Sequence, residues 1–403
     1  MNKIDDTKSY EYGEIVPYLL DWYEANARIL PWRLEPTPYH VWISEIMLQQ
    51  TRVEAVRGYY DRFLTALPTI EDLANASEDV LLKLWEGLGY YSRVRNLQKA
   101  AKVVVDEYDG VLPASYKELL KLPGIGSYTA GAIASIAYGI PVSAVDGNVL
   151  RIAKRLAGSF DDITKASVKK QLEIDFTAIT PEDAAGAFNQ SLMDLGATIC
   201  IPNGRPLCEK CPVMHLCMAF KKDLQSQIPV KPKKKGRRIE EKTVFVLECD
   251  GKLVLHKRAN KGLLAGLWEL PNIEGKSSID KVQDMLKRSS HMDEFADIEL
   301  ISLGEGKHIF SHVEWHMIGF HIKYKNSEQM ERFCGQLMQN DSAVVDNSLI
   351  KENLNYLDNY LIIPYEEVIE SYALPSAFES YKIWKNENSV SYTHLTLPTT
   401  PYV

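Results

Sequence analysis

Four of the six cysteines of this chain fall within eighteen residues, at Cys200, Cys208, Cys211 and Cys217, spaced C-x7-C-x2-C-x5-C. Loops this short close poorly into disulfides, and nothing at the start of the chain points to an oxidising compartment. Four thiolates drawn to one point suit either a zinc ion or a [4Fe–4S] cluster. Either centre would make metal binding part of folding for that segment. Cys249 and Cys334 stand alone, and Cys249 closes a strand-like run, so it reads as a core residue.

The rest of the chain is compatible with two or three domains. It has 403 residues, 45% apolar and 25% charged, an ordinary soluble mixture. No run of 18 apolar residues occurs, so no membrane span is expected. The opening MNKIDDTKSYEYGE is polar and acidic, unlike a targeting peptide, and a cytoplasmic location is expected. The net charge of −8 argues weakly against nucleic acid, but basic residues can be localised.

Residues 10 to about 220 read as nearly all helix. Val41–Tyr60 carries a helical rhythm at Trp42, Ile46, Val53, Val56 and Tyr60. Asp79–Trp85 and Arg93–Tyr108 repeat it. Asp161–Thr180 and Pro181–Leu195 continue it, with Thr180-Pro181 expected as N-cap and first helical residue. Residues 221–242 carry nine Lys or Arg and three acids without apolar periodicity. That run reads as a solvated tether or as a basic strap near phosphates. Beyond it Thr243–Cys249 and Lys252–Arg258 read as a hairpin turning at Asp250-Gly251. Val313–Tyr324 alternates like a strand, and Ser278–Arg288 has helical spacing. The expected organisation is multidomain: an all-α domain at 8–222, a linker at 223–242, an α+β domain at 243–385, and a Thr- and Pro-rich tail at 389–403 foreign to the fold.

Several residues carry chemistry. In LPGIGSYTAGA, Gly124 and Gly126 precede a helix whose N-terminal amides could meet a phosphate, although many plain helix–helix turns look the same. In AVDGNVLR, Asp146 stands where a helix should start and reads as an N-cap, with Asn148 in the first turn. Glu45 lies in the apolar stretch WISEIML, a setting that keeps a carboxyl protonated; an exposed helical glutamate is the plainer reading.

These motifs are specific together. PWRLEPTPYHVWISEIMLQQTRV (31–53), GLGYYSRVRNL (87–97), LPGIGSYTAGAI, AVDGNVLRI and FNQSLMDLGATIC (188–200) resemble the helix-hairpin-helix adenine DNA glycosylases of the MutY family. GLLAGLWELP (262–271) and HIFSHVEWHM (308–317) extend the resemblance into that family's Nudix-like C-terminal domain. The resemblance implies a [4Fe–4S] cluster on the four cysteines, although the family's first cysteine gap is one residue shorter, and zinc stays as the alternative. It implies that Glu45 protonates the departing adenine and that Asp146 stabilises positive charge on the sugar, with Tyr128 and Asn148 beside them. Arg28, Leu30, Trp32 and Gln190 would line the adenine pocket. Gln50, Thr51, Leu88 and Tyr90 would fill or flank the gap left by the flipped base. Arg205, Lys210, Lys221 and Lys222 would approach the backbone phosphates.

Related glycosylases that cut the strand use a lysine at the position of Tyr128, and a phenol forms no imine. The resemblance therefore implies a monofunctional enzyme acting as a monomer on duplex DNA with adenine opposite 8-oxoguanine or guanine. The 8-oxoguanine reader would be Phe310, Ser311 and His312, which on local sequence alone read as a turn. The segment after Gly275 holds only Asp280 and Asp284, too few acids for a nucleotide-hydrolysing Mg²⁺ site. Two other functions fit parts of the pattern. One is a bifunctional glycosylase for oxidised pyrimidines, which Tyr128 and the second domain disfavour. The other is a non-catalytic iron–sulfur DNA-binding protein, which the presence of both Glu45 and Asp146 disfavours.

Overall fold

The computed structural model describes residues 10–232, 236–289, 298–339 and 359–384. The expected tail at 389–403 lies outside them. The chain forms two compact units that divide near residue 234.

The first unit is helical. Its helices are α1 (Val16–Asn26), α2 (Pro31–Leu34), α3 (Pro38–Leu48), α4 (Val53–Ala66), α5 (Ile70–Asn75), α6 (Glu78–Leu84) and α7 (Ser92–Glu107). There follow α8 (Tyr116–Leu119), α9 (Ser127–Tyr138), α10 (Gly147–Ala157), α11 (Ala166–Ile179), α12 (Ala185–Thr198) and α13 (Met218–Lys221). One part of the core gathers Ile15 and Leu19 with Val149, Ile152, Ala153, Phe176, Phe188 and Leu192. Thus α10 and α12 are buried against α1 and α11.

Local chemistry sets the ends of the helices that matter most. Thr37 caps α3: its hydroxyl accepts the backbone N–H of His40 at 3.2 Å, and Pro38 takes the first helical position. Two glycines bring α9, α10 and α12 together. A Cβ on Gly131 would stand 2.1 Å from the carbonyl oxygen of Ser143, and one on Gly196 would stand 2.6 Å from Cβ of Asn148. Neither position has room for a larger residue.

Three expectations are corrected here. The rhythm over Val41–Tyr60 is two helices, not one: the chain breaks between α3 and α4, and Gln50 takes a left-handed φ of 57°. The carbonyls freed by that break are satisfied by Arg93 of α7, whose Nη1 donates to Ile46, Met47 and Gln49. Thr180-Pro181 does not start a helix. Thr180 is the C-cap of α11, its hydroxyl donates to the Phe176 carbonyl at 2.7 Å, and α12 begins only at Ala185. Nor is the stretch 223–242 a plain tether. Ile228 is buried, Arg155 donates to the carbonyls of Gln225 and Ile228, and Val230 bridges to Asp162. At its other end, residues 238–242 already belong to a strand.

The second unit is a seven-stranded mixed sheet. Its strands are β1 (Arg238–Cys249), β2 (Lys252–Lys257), β3 (Trp268–Glu269), β4 (Asn272–Glu274), β5 (Ile298–Ile309), β6 (Val313–Tyr324) and β7 (Tyr360–Pro364). The main order is β3-β2-β1-β6-β5, with β4 on β1 and β7 on β2. Asp250 and Gly251 both have positive φ, as the expected hairpin turn requires. β1 and β6 run parallel from Arg238↔Val313 to Cys249↔Tyr324; the other pairings are antiparallel. Alternation splits the core over the two faces. Val244, Val246, Trp315 and Met317 pack with Phe378 and Tyr381. Phe245, Leu247, Phe320 and Ile322 pack with Val282 and Leu286 of α14 (Ile279–Ser289) and with Met330 and Phe333 of α15 (Ser327–Gln339). A last helix, α16 (Tyr365–Ser371), follows β7. No described helix is long and apolar enough to cross a membrane.

Candidate active site

The helical unit holds a cavity of about 170 Å³ lined by residues of α2, α3, α4, α9, α10 and α12 and of the segment before α2. Glu45 projects from the last turns of α3, Tyr128 from the first turn of α9, and Asp146 from the cap of α10. Gln190, Met193 and Ala197 come from α12, and Arg28, Leu30, Trp32 and Arg33 from the segment around α2. All four residues expected to line an adenine pocket are therefore gathered with the two carboxylates. Among the described residues, no lysine lines the cavity.

The two carboxylates sit in different surroundings. Glu45 is buried within an apolar helix. Burial pushes its pKa up to about 7, against a lesser downward pull from the Tyr128 hydroxyl, which donates to Oε2 at 2.6 Å. The nearby charge of Asp146 adds to the rise, and Arg33 opposes it. Asp146 is a helix cap with three donors. Its Oδ1 accepts the backbone N–H groups of Asn148 and Val149, both at 2.9 Å, and its Oδ2 accepts the Asn148 amide at 2.7 Å. Burial raises its pKa too, but the Val149 and Asn148 donors and the charge of Arg151 pull the other way. So one carboxyl has a single donor in an apolar wall, and the other has three at a helix N-terminus, where negative charge is favoured. Tyr128, half-buried beside both, keeps its proton: desolvation and the two carboxylates raise its pKa well above the ordinary value.

Two residues here were not singled out from sequence: Arg33, which lines the cavity, and Asp194, which lies behind it. With Arg28 they form an ion cluster around the fully buried Asp194 carboxylate. The signal was present in SLMDLG, where one acid interrupts the apolar face of a helix. Its partners lie more than 160 residues earlier, beyond any local pattern.

The other expected positions divide. Gln50 is exposed at the break after α3, and Thr51 lines the cavity. Tyr90 is 46% exposed, whereas Leu88 is buried, so Leu88 does not present a free side chain. Gly124 needs to be glycine, with φ 75° and Asn96 within 2.7 Å of any Cβ. Gly126 caps α9 with no side-chain cap, and the space a Cβ would take there is open.

The four cysteines surround a second cavity together with Arg155, Ile199, Pro206, Met214, Phe220 and Gln225. No three described His, Cys, Asp or Glu side chains converge as closely as one metal ion requires. The Arg155 guanidinium donates to Cys200 Sγ at 3.3 Å. Burial, then the neighbouring cysteines, push Cys211 up to about 12, despite a backbone N–H donor from Val213. In the sheet unit, Phe310, Ser311 and His312 form the turn between β5 and β6. Phe310 packs edge-on against Trp315 at 4.9 Å and His308 at 4.6 Å, while Ser311 and His312 are exposed. Asp280 and Asp284 are exposed on α14, and no acidic cluster forms among the described residues.

A glycine-tight hairpin before α9, a capping aspartate on α10 and a protonatable glutamate between them define a helix-hairpin-helix base-excision glycosylase joined to a Nudix-like sheet. Residues 43–177 match the HhH-GPD superfamily of base excision DNA repair proteins, and residues 243–382 match the NUDIX domain. The chain is 35% identical over 328 residues to the adenine DNA glycosylase of Buchnera aphidicola from Schizaphis graminum, covering 79% of this chain and 91% of that one. It is 37% identical over 357 residues to the human adenine DNA glycosylase, covering 73% of this chain and 64% of the longer human protein. A solved thermostable thymine-DNA glycosylase is 31% identical, covers 52% of this chain and 96% of its own, and superposes with a TM-score of 0.47. The chain belongs to the adenine DNA glycosylase family.

The burial of Glu45 has a consequence for stability. Its carboxyl is held near 7 in the folded state against 4.5 as the ordinary value. The folded chain therefore keeps a proton that the unfolded chain releases, and this stability is lost as pH rises towards 7. Relative to Glu45→Gln, the wild type should lose up to about 1.4 kcal/mol per pH unit across that window and then level off. Urea unfolding of both proteins at several pH values measures the difference. A constant difference would mean that the carboxyl titrates normally.

Proposed function

We propose that this chain is a monofunctional glycosylase that excises adenine opposite 8-oxoguanine, or opposite guanine, from duplex DNA. The observation that carries this reading is the pairing in one cavity of a carboxyl held near neutrality with a carboxylate held by three donors, with no lysine beside them. Such a pair suits cleavage through an oxocarbenium-like transition state.

The chemistry balances with these residues alone. The adenine enters the cavity extrahelically, between the apolar walls of Leu30 and Trp32, with the Gln190 amide matched to its donor and acceptor edge. Protonated Glu45 gives its proton to N7. The N-glycosidic bond breaks, its electron pair leaves with the base, and positive charge develops on the sugar. Asp146, ionised and oriented by Asn148, faces that charge. Water adds to the anomeric carbon and loses a proton, so the products are free adenine and an abasic site. Gln50 and Tyr90 stand at the exposed edge as candidates to fill the gap, and the open N-terminus of α9 at Gly126 can receive a backbone phosphate.

Glu45→Gln should bind DNA yet release adenine at least about 10²-fold more slowly in single-turnover assays, because an amide donates no such proton. The wild type should nick its product strand only after alkali or heat. A near-normal rate in the variant, or direct nicking by the wild type, overturns this assignment.

The cysteine loop fits an iron–sulfur cluster. Four cysteines line one cavity, which is the donor set that a four-iron cubane takes. Their mutual repulsion as thiolates calls for a cationic centre, and Arg155 already donates to one of them. Cys200, Cys208, Cys211 and Cys217 would hold the group, which supplies a closed, rigid loop for Arg205 and Lys210 near phosphates. Anaerobically purified protein should carry about four irons per chain. Cys208→Ser should lose both iron and DNA affinity; stoichiometric zinc in place of iron would refute the cluster.

Phe310, Ser311 and His312 are the proposed 8-oxoguanine reader. Phe310 anchors the turn in the core, leaving a hydroxyl and an imidazole exposed to meet a base whose N7 has become a donor. One neutral hydrogen bond contributes about 0.5–1.5 kcal/mol, so Ser311→Ala should be mild. Ser311→Ala with His312→Ala should collapse the ratio of kcat/KM for adenine opposite 8-oxoguanine over adenine opposite guanine. An unchanged ratio would place lesion reading elsewhere.

A further inference from the structure

The least exposed charged group of the catalytic cavity region is one the proposed chemistry does not use. Asp194 has no exposed side-chain surface, and it receives two guanidinium groups. Its Oδ1 accepts Arg28 Nε at 2.7 Å and Arg33 Nη2 at 2.9 Å. Its Oδ2 accepts Arg33 Nη1 at 2.8 Å and the backbone N–H of Arg28 at 3.1 Å. Arg33 is fixed further by a bond from Nη1 to the Arg28 carbonyl at 3.2 Å, and its guanidinium lies 5.7 Å from the Tyr23 ring. Both arginines line the cavity into which Glu45 projects.

We propose that Asp194 is a positioning residue for base excision: by binding Arg28 and Arg33 on its own carboxylate it withholds their positive charge from Glu45 and so keeps Glu45 a proton donor. This rests on the reading of Glu45 as the acid. The argument is one of charge and geometry. The cluster of two guanidiniums and one carboxylate carries one net positive charge; without Asp194 it carries two. A cation beside a buried carboxyl favours the ionised form. The groups that face Glu45 are Tyr128 from α9, Asp146 at the cap of α10 and Arg33 from α2. Tyr128 stays protonated, and Asp146 disfavours ionisation of Glu45, so Arg33 is the group that favours it. The fork of Arg33 is bonded to both oxygens of Asp194, so its charge is paired there. Asp194 would thus act through Arg33 without touching the base.

The test uses full-length protein with ¹³C-carboxyl glutamate, in which the Glu45 resonance is the one missing from Glu45→Gln. Its titration is followed by NMR in wild type, Asp194→Asn, Asp194→Glu and the pair Arg33→Met with Asp194→Asn, beside single-turnover adenine release at the same pH values. In Asp194→Asn the Glu45 midpoint should fall by about one pH unit or more. Adenine release should drop about tenfold near and above the wild-type midpoint and recover as pH falls. Asp194→Glu should restore both in part, and removing Arg33 as well should return the midpoint towards the wild-type value. An unmoved midpoint in folded Asp194→Asn overturns the proposal, as does a rate loss that is the same at every pH. If Asp194→Asn does not fold, Arg33→Met alone decides: loss of that cation must raise the midpoint, and an unchanged midpoint overturns the proposal. A midpoint that moves while adenine release does not follow leaves the coupling standing and refutes Glu45 as the acid.

Discussion

The candidate catalytic centre depends on the cap of α10. Asp146 ends an irregular segment and accepts the first two backbone N–H groups it can reach in the new helix. That one interaction starts the helix and aims a carboxylate into the cavity. The same helix then carries Arg151, which donates to the Asn148 side chain, to the Gly196 carbonyl and to the Cys200 carbonyl. One turn further, Arg155 reaches Cys200 Sγ and the carbonyls of Ile201, Gln225 and Ile228. α10 is thus a rod with the catalytic cap at one end and the cysteine loop along its length. Removing the order of that loop would take the Cys200 carbonyl from Arg151 and its acceptors in the loop from Arg155, which is costly for buried guanidiniums. The cysteine segment need not touch substrate to matter for catalysis.

Charge in the cavity is arranged by what each group is bonded to rather than by residue type. Asp194 is fully buried, and Asp146 is half-buried at the cavity. Burial raises each, but the two arginines outweigh it at Asp194 and hold that carboxyl below its ordinary range. Asp146 has only neutral donors and the more distant Arg151, and burial prevails in direction. Glu45 has a single hydroxyl donor, and burial raises it to about 7. The two arginines thus set Asp194 apart from the two acids that burial raises.

Much of this was legible in the chain. Glu45 in an apolar helix and Asp146 before a glycine carried their own signals, and the hairpin at Asp250-Gly251 followed from local turn chemistry. What escaped was set by distant partners. The break after α3 lies inside an unbroken apolar rhythm, because Arg93, more than forty residues on, satisfies the carbonyls that the break exposes. Thr180-Pro181 has the composition of a helix start, yet the threonine hydroxyl bonds back to Phe176 and ends α11 instead. The basic run before the sheet looked like a tether because its order comes from Arg155 at one end and from β6 at the other.

That last pairing also orders the turn between β5 and β6. A turn of three residues with two exposed side chains has little to hold it, and ordering it on contact would cost entropy. Here the turn is held from three sides. Phe310 is packed between His308 and Trp315, and its backbone N–H bonds the Val313 carbonyl. The chain entering β1 completes the support: Arg237 Nε donates to the Phe310 carbonyl at 3.1 Å, and the Arg238 backbone N–H donates to the His312 carbonyl at 3.0 Å. The Trp315 indole is itself bonded to Glu240 of β1 at 2.8 Å. The parallel register of β1 and β6 therefore fixes the backbone around Ser311 and His312, and the order of this exposed turn comes from the strand beside it rather than from its own three residues.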